Sequence, residues 1–462
     1  METYSQIRAR HIAAWGEAFG DRLARLRWSR AQIDAERDRA LRALVHTART
    51  GSAWHAPRLV HLDVDRLTAG DLTSLPTMTK HDVLEGFDDV VTDRRVTRAA
   101  AEEHLSGLTG DAYLAGDLHV VASGGSTGER GVFVYGWDAW IDVHLGLGRF
   151  VASLFDEPDI PPGPLTMGVV AAHSASHMTS AVGQTFRGPV VELHQFPVTL
   201  PVADIVAGLN AVQPVVLTAY ASMLGVLAGE AAAGRLRIAP RRIVATSEPL
   251  LPELRRVAEQ AFDAPVANCW GTSEGGVLAV GCWRSEGMHL NEDLAVIEPV
   301  DEAGRPVPPG ERSAKVLLTV LYNPVMPLIR YELTDEVVVL DEPCPCGSAH
   351  RRVADVQGRL DDLFVYGRVE VHPHVLRSVL GAVPEILEYQ VQQSVAGVDV
   401  AIRNAGPVDT VGLEARLAEA LRGVGLPDAT AVVTVVESLE RHRGTGKLRR
   451  FVPLGQPALP VS

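Results

Sequence analysis

SGGSTGERG, residues 123–131, places four glycines and three hydroxyl side chains within nine positions. Glycine lets a backbone approach a ligand closely, and exposed N–H groups with hydroxyls make a concave anion site, so the stretch reads as a phosphate loop. Gly/Ser runs are also common as plain surface turns, and this one lacks the GxxxxGK[ST] spacing of a Walker loop. An apolar run, HVVAS (119–123), leads into it. The remainder of the chain has to discriminate.

At 462 residues with 46% hydrophobic content, the chain is long enough for more than one domain and apolar enough for a large core. A formal charge of −14 argues against a nucleic-acid or membrane-surface partner, while leaving room for a locally basic pocket. Four cysteines are too few for a disulfide scaffold. The opening METYSQIRARHIAAWGEAFGD has no apolar core, so it is no secretion signal. Residues 205–229 carry no charge and are long enough to cross a bilayer. Asn210, Gln213 and Pro214 interrupt them, and the run divides into a helix end, a strand (214–219) and a helix (222–233). A cytoplasmic protein is expected.

In the first fifty residues Ile33, Leu41, Leu44 and Val45 recur at helical spacing. Short apolar runs then alternate with helical patterns: LTMGVVAA (165–172), PVVELHQF (189–196), PVVLTA (214–219) and RRIVATS (241–247). Such runs predict strands buried in a largely parallel or mixed sheet. After Leu290, KVLLTVL (315–321) and EVVVLD (336–341), separated by Pro/Gly turns, suggest an antiparallel subdomain. After Gly358 the strands EYQVQQ, GVDVAIR and TAVVTVV with the helix LEARLAEALRGVG suggest a small α+β domain. The expectation is an α/β protein: a large N-terminal domain over 1–357, of mixed sheets with flanking helices plus the antiparallel part, that binds nucleotide and acid, and a small, mobile C-terminal lid over 358–462. GRLDD (358–362) is the expected hinge, near Asp361.

Further motifs follow the glycine loop. NCWGTSE (268–274) puts Glu274 on a Gly/Ser/Thr turn, as a Mg²⁺ ligand or as part of a capped turn. RYELTD (330–335) offers Asp335 to ribose hydroxyls. RGTGKLR (443–449) carries a glycine-flanked lysine suited to a phosphate, or an exposed basic tail. Cys344-Pro-Cys346 with Cys282 and His289 form a zinc-ligand quartet, a structural staple, or else unligated thiols; Cys269 reads as a buried small hydrophobe. His173 and His177 are read either as lining an acyl pocket or as hydrogen-bonded core histidines.

Taken in order, SGGSTG, ATSEP (245–249), CWGTSE, RYELTD, GRLDD and GTGK resemble the motif series of the adenylate-forming enzymes, which include acyl-CoA synthetases and nonribosomal adenylation domains. LPTMTKHDVLEGFDDVV (75–91), MPLIRYELTD and CPCGSAH look like its phenylacetate-CoA ligase branch. The resemblance runs from about residue 40 to 450. It implies ATP, Mg²⁺ and a small, aromatic or otherwise planar carboxylic acid as reactants, an acyl adenylate as intermediate and CoA as acceptor. It further implies that Ser123, Gly124, Gly125, Ser126, Thr127 and Gly128 hold the phosphates, with Ser247, Glu248 and Pro249 by the adenine and Asp335 and Arg359 by the ribose. Trp270, Gly271, Thr272 and Ser273 complete the nucleotide site, Glu274 holds Mg²⁺, and Lys447 balances charge on the α-phosphate. Tyr220 and Trp270 join the histidines in the substrate pocket. A homodimer is left open.

The chain departs from the pattern in three places. Glu129-Arg130 replaces a Pro-Lys pair, Trp270 replaces a tyrosine, and the Ile-Glu pair expected after Pro373 is lost. The last bears on the thiol approach. Two other readings therefore stand: the same adenylation with a carrier protein, an amine or an inorganic oxyacid in place of a partner, and a nucleotide-binding protein without activity.

Overall fold

Two long helices begin the chain, each started by a capping box in which side chains satisfy orphan N–H groups. Thr3 and Gln6 close the start of Tyr4–Ala24, and Ser29 and Gln32 that of Arg30–Gly51. The second helix buries Ile33, Leu41, Leu44, Val45 and Ala48, the stripe that 3.6-residue spacing requires. Leu41, Leu44, Val45 and Ala48 pack with Leu59, Val296, Leu321 and Ile329. The computed structural model describes residues 2–123, 130–156, 160, 163–172, 174–186, 191–356, 363–383, 385–404, 406–441 and 446–454.

The chain divides into two units. The first comprises Met1–Leu165, His173–Leu193 and Ala267–Val356. In it His119–Ala122 pairs antiparallel with Val132–Tyr135, every residue buried, and the helix Trp137–Ala152 follows. A ladder runs Val339–Leu340, Arg352–Val353, Met288–Leu290, Gly276–Gly281 and Val266–Thr272 in order. A separate antiparallel sheet joins Ala295–Val300, Lys315–Val320 and Tyr331–Leu333, where the texture after Leu290 predicts one. The run 336–341 forms a strand only at Val339–Leu340. Val337 instead exchanges bonds with Ser313, donating to its Oγ (3.0 Å) and accepting from its N–H (2.9 Å).

Helix Trp137–Ala152 is fixed to the ladder by charge as well as by packing. Arg149, fully buried, donates to both oxygens of Asp293 (2.7 and 2.8 Å) and to Asn291 Oδ1. Asn291 Nδ2 in turn donates to the carbonyls of Gly146 (3.1 Å) and Val277 (2.8 Å). Burial favours the neutral acid at Asp293, but the Arg149 guanidinium outweighs it and holds the carboxyl down to about 2.

The second unit comprises Thr166–Ala172, His194–Val266 and Gln357–Ser462. Leu165–Ala171, Val216–Tyr220 and Arg242–Thr246 run parallel, with Val191–Pro197 at the edge. The uncharged run 205–229 falls on the helix Val202–Val212, the fully buried strand Val216–Tyr220 and the helix Ala221–Ala232. Among the described residues no helix is long and apolar enough to cross a membrane. The C-terminal part is a four-stranded sheet, ordered Thr430–Val435, Gly397–Asn404, Ile386–Ser394 and Phe451–Val452, with helices Pro373–Leu380 and Thr410–Gly423. A Cβ at Gly225 would lie 3.0 Å from Leu254 and 3.5 Å from the Leu387 carbonyl. Glycine there lets strand Ile386–Ser394 approach helix Ala221–Ala232. The fold is thus mixed α/β with antiparallel and mixed sheets.

Candidate functional site

The neck of the glycine loop is a closed hairpin. Ser123 N–H donates to the Gly131 carbonyl and Gly131 N–H to Ser123 Oγ, both at 2.9 Å. A Cβ at Gly131 would meet the Phe133 ring at 2.9 Å and Ser123 Oγ at 3.1 Å, so the neck needs glycine. Gly124, Gly125, Ser126, Thr127 and Gly128 lie outside the described residues, as do His173, Arg359 and Asp361.

Distant motifs meet the hairpin stem. Tyr135 Oη donates to the Ser273 carbonyl at 2.7 Å, and the Phe133 ring stands edge-on to Tyr331 at 6.5 Å. Tyr331 is the second residue of the RYELTD segment, which lies beside LPTMTK: Met78 N–H donates to the Arg330 carbonyl (3.2 Å) and Glu332 N–H to the Met78 carbonyl (2.9 Å). Arg330 adopts φ +52°, a conformation that disfavours side chains. Its N–H donates to Thr319 Oγ1 (3.0 Å) and its Nε to Glu298 (3.2 Å). Asp335, at the end of the segment, is buried.

A register shift between Trp270 and Gly271 and the positive φ of Gly276 (+61°) shape the turn that carries Glu274. Thr272 Oγ1 accepts the Gly275 N–H (3.1 Å) across it. Glu274 is half-buried, and Trp270 packs in the core. Burial, then Tyr322 and Glu274, push the Tyr135 phenol far above its ordinary value; burial and then Glu274 do the same for Tyr331. Both hydroxyls therefore stay protonated donors beside a carboxylate.

Within the second unit, Ser247 takes φ +64° at the end of its strand. Glu248 then uses both oxygens. Oε2 accepts the N–H of Ser222 (2.9 Å), in the first turn of helix Ala221–Ala232, and Oε1 accepts the N–H of Leu448 (3.0 Å). A carboxylate at a helix N-terminus satisfies an orphan donor and the helix dipole together. Tyr220 Oη accepts the Ala172 N–H (2.9 Å), and Lys447 Nζ stands 5.9 Å from the centre of the Tyr220 ring, within cation–π range. Burial and then Glu248 raise the Tyr220 phenol. Arg441 donates to Ser222 Oγ (2.8 Å) and to Glu388, which also accepts from Arg403 (2.8 Å). Gly446, at φ +65°, has no room for a Cβ, which would lie 2.0 Å from Val198.

Ser123, Trp270, Gly271, Thr272, Ser273, Glu274 and Asp335 thus belong to the first unit, with His177, buried at the N-cap of helix Met178–Thr185. Tyr220, Ser247, Glu248, Pro249 and Lys447 belong to the second. Sequence reasoning missed Tyr135, Met78 as a pairing partner, and the Ser222 and Leu448 amides. Backbone N–H groups leave no trace in residue type, and Tyr135 looks like any strand aromatic. Outside these motifs, ligand atoms of Cys282, His289, Cys344 and Cys346 all lie within 4.8 Å of one another. Cys269 is buried in its strand.

No family model matches the chain. A phenylacetate-coenzyme A ligase of Thermus thermophilus is 29% identical over 177 residues, covering 37% of this chain and 38% of that protein. The chain is therefore matched over well under half of its relative's length. A solved 2-hydroxyisobutyryl-CoA ligase, in the postadenylation state with 2-HIB-AMP, superposes with a TM-score of 0.71 at 18% identity, covering 93% of this chain and 91% of that one. An anthranilate CoA ligase with anthranoyl-AMP gives 0.52 at 15% identity, covering 71% and 64%. The fold is that of the adenylate-forming ligases, and the matched stretch is similar in sequence to the phenylacetate-CoA ligase branch of that superfamily.

Proposed function

We propose that the chain is an AMP-forming acid–thiol ligase. A small carboxylic acid attacks the α-phosphorus of ATP, an acyl adenylate and pyrophosphate form, and CoA thiol then displaces AMP to give a thioester. The reading is carried by one observation: the stem of the glycine loop, the turn bearing Glu274 and the RYELTD segment meet through the Tyr135–Ser273 bond and the Phe133–Tyr331 contact, although more than a hundred residues separate the first from the others. Residues 123–128 are assigned to the phosphates, Asp335 and Arg359 to the ribose, and Ser247–Pro249 to the adenine. A half-buried carboxylate on a turn suits Mg²⁺, which takes few protein oxygens and fills its shell from phosphate and water. Glu274 is assigned that role; the ion, when bound, would offset phosphate charge. Lys447 is assigned to the charge gathering on the α-phosphate. The protein positions and stabilises charge with little covalent chemistry of its own. His173, His177, Tyr220 and Trp270 are assigned to the acyl pocket, and Asp361 to a hinge before a mobile C-terminal lid. An aromatic acid is the first candidate because of the sequence likeness to phenylacetate-CoA ligase. The relatives solved with 2-hydroxyisobutyryl and anthranoyl adenylates put hydroxy acids and amino-substituted benzoates in the same test.

The test is pyrophosphate release with a panel of acids, with and without CoA, in wild type and Glu274→Gln. Acid-dependent release should occur in wild type and fall by orders of magnitude in the variant at unchanged thermal stability. Release with no acid in the panel, or equal rates in the two proteins, would sink the reading. A thioester only when CoA is present fixes the acceptor.

A further inference from the structure

We propose that Cys282, His289, Cys344 and Cys346 bind one zinc ion in a closed, four-ligand S₃N site that staples the outer strands of the first unit. The four ligand atoms lie within 4.8 Å of one another. Cys282 and Cys344 sulfurs stand 3.6 Å apart, and Cys346 Sγ is 3.3 Å from His289 Nε2. A tetrahedron with Zn–S bonds of about 2.3 Å and a Zn–N bond of about 2.0 Å has edges of roughly 3.5–3.8 Å. A disulfide would need its sulfurs at about 2.05 Å, so the thiols are gathered without being bonded.

The imidazole is turned the right way for a metal. His289 Nδ1 lies 3.2 Å from the His350 carbonyl. A carbonyl only accepts, so Nδ1 carries the proton and the Nε2 lone pair faces the three sulfurs. Fixing a ligand histidine through its other nitrogen is the usual outer-shell device. The sulfurs have partners suited to thiolates: Cys282 Sγ accepts the N–H of Arg284 (3.3 Å), and Ser285 Oγ lies 3.1 Å from Cys344 Sγ.

Ligand chemistry selects the ion. Three thiolates and one imidazole suit zinc and repel the oxygen-seeking Mg²⁺ and Ca²⁺. Four protein ligands leave no open position for water or substrate, which makes the site structural. Binding displaces three thiol protons, so the folded state gains the metal's binding energy.

The placement says what is held. Cys282 follows strand Gly276–Gly281, His289 sits in Met288–Leu290, and Cys344 and Cys346 lie between Val339–Leu340 and Arg352–Val353. Those last two strands are each two residues long and offer few ladder bonds, too little to hold an edge unaided. Zinc would close that edge. Strand Gly276–Gly281, which ends beside Cys282, begins at the turn bearing Glu274, so the ion would steady the strand that carries this turn without touching substrate.

The experiment is metal analysis of purified wild type, with thiol titration before and after 1,10-phenanthroline. About one zinc per chain is expected, with three further thiols becoming reactive on chelation and a lower thermal midpoint that ZnCl₂ restores. Cys344→Ser and Cys346→Ser should each cut zinc content at least tenfold. If the serine variants do not fold, the wild-type measurements decide alone. Zinc well below stoichiometric after expression with added ZnCl₂, or thiol reactivity unchanged by chelator, overturns the proposal. None of these readings depends on the chain being a ligase.

Discussion

Glu248 is the residue whose removal separates two roles that the site offers it. Its carboxylate holds the Leu448 amide, next to Lys447, at 3.0 Å and the Ser222 amide at 2.9 Å. Alanine at this position leaves the Gly446–Leu448 segment without that anchor. A hydrogen bond to a charged group contributes about 1.5–3 kcal/mol, which is roughly a ten- to hundredfold change in the population with the segment seated. If Lys447 serves adenylation from this seating, kcat for acid-dependent pyrophosphate exchange should drop by about that factor. A rise in the KM for ATP alongside that drop would report the adenine contact assigned to Glu248. Glu248→Gln keeps one acceptor oxygen and presents an NH₂ group to the other amide, so its loss should fall between. The assay is pyrophosphate exchange at varied ATP, with the thermal midpoint as a check on folding. Two outcomes would refute the reasoning: an unchanged kcat in a folded Glu248→Ala, or a raised KM for ATP at constant kcat. The second would make Glu248 an adenine contact and leave Lys447 seated by other means.

Lys447→Ala should nearly abolish adenylation while a supplied acyl adenylate is still converted to thioester. Equal loss of both half-reactions, measured separately in the folded variant, would remove the lysine from its assigned step. Acid should unfold the protein earlier than carboxylates alone would cause. Burial pushes His144 and His55 down to about 4, and His144 Nδ1 must be unprotonated to accept the Trp15 indole N–H at 2.8 Å. Their folded values lie below the unfolded value of about 6.5, so the unfolded chain binds more protons. The stability they contribute is intact above about pH 6.5 and falls as pH drops toward about 4, by about 1.4 kcal/mol per pH unit for each residue. Urea unfolding from pH 7.5 to 4.5 should show the slope, and His144→Asn should lessen it; a flat profile would exclude the mechanism.

The helices and buried strands were legible because burial imposes a period. Leu41, Leu44, Val45 and Ala48 form one stripe, and RRIVATS and PVVLTA are runs closed to water on both faces. EVVVLD was legible only in part: Val339–Leu340 pairs antiparallel, but local composition cannot reveal that Ser313, more than twenty residues earlier, takes the backbone groups of Val337. That Cys282, His289, Cys344 and Cys346 come together was legible from residue type, since thiols and imidazole have few other reasons to recur together. The loop neck was half legible: its glycines were plain, but the bond from Gly131 to Ser123 Oγ was not. Least legible was the engagement of Glu248, whose partners are main-chain amides 26 positions before it and 200 after it.

Arg149 and Asp293 sit 144 residues apart and are both fully enclosed. Losing one member of such a pair costs about 3–5 kcal/mol, because the survivor is left as an uncompensated buried charge, whereas replacing both by apolar side chains of like volume is often neutral. Sequence drift therefore meets a barrier at either position and none along the diagonal. Among descendants of this chain the two sites should change as a unit, arginine with aspartate or two hydrocarbons together. Mixed pairs should persist only where a second substitution has already restored the balance.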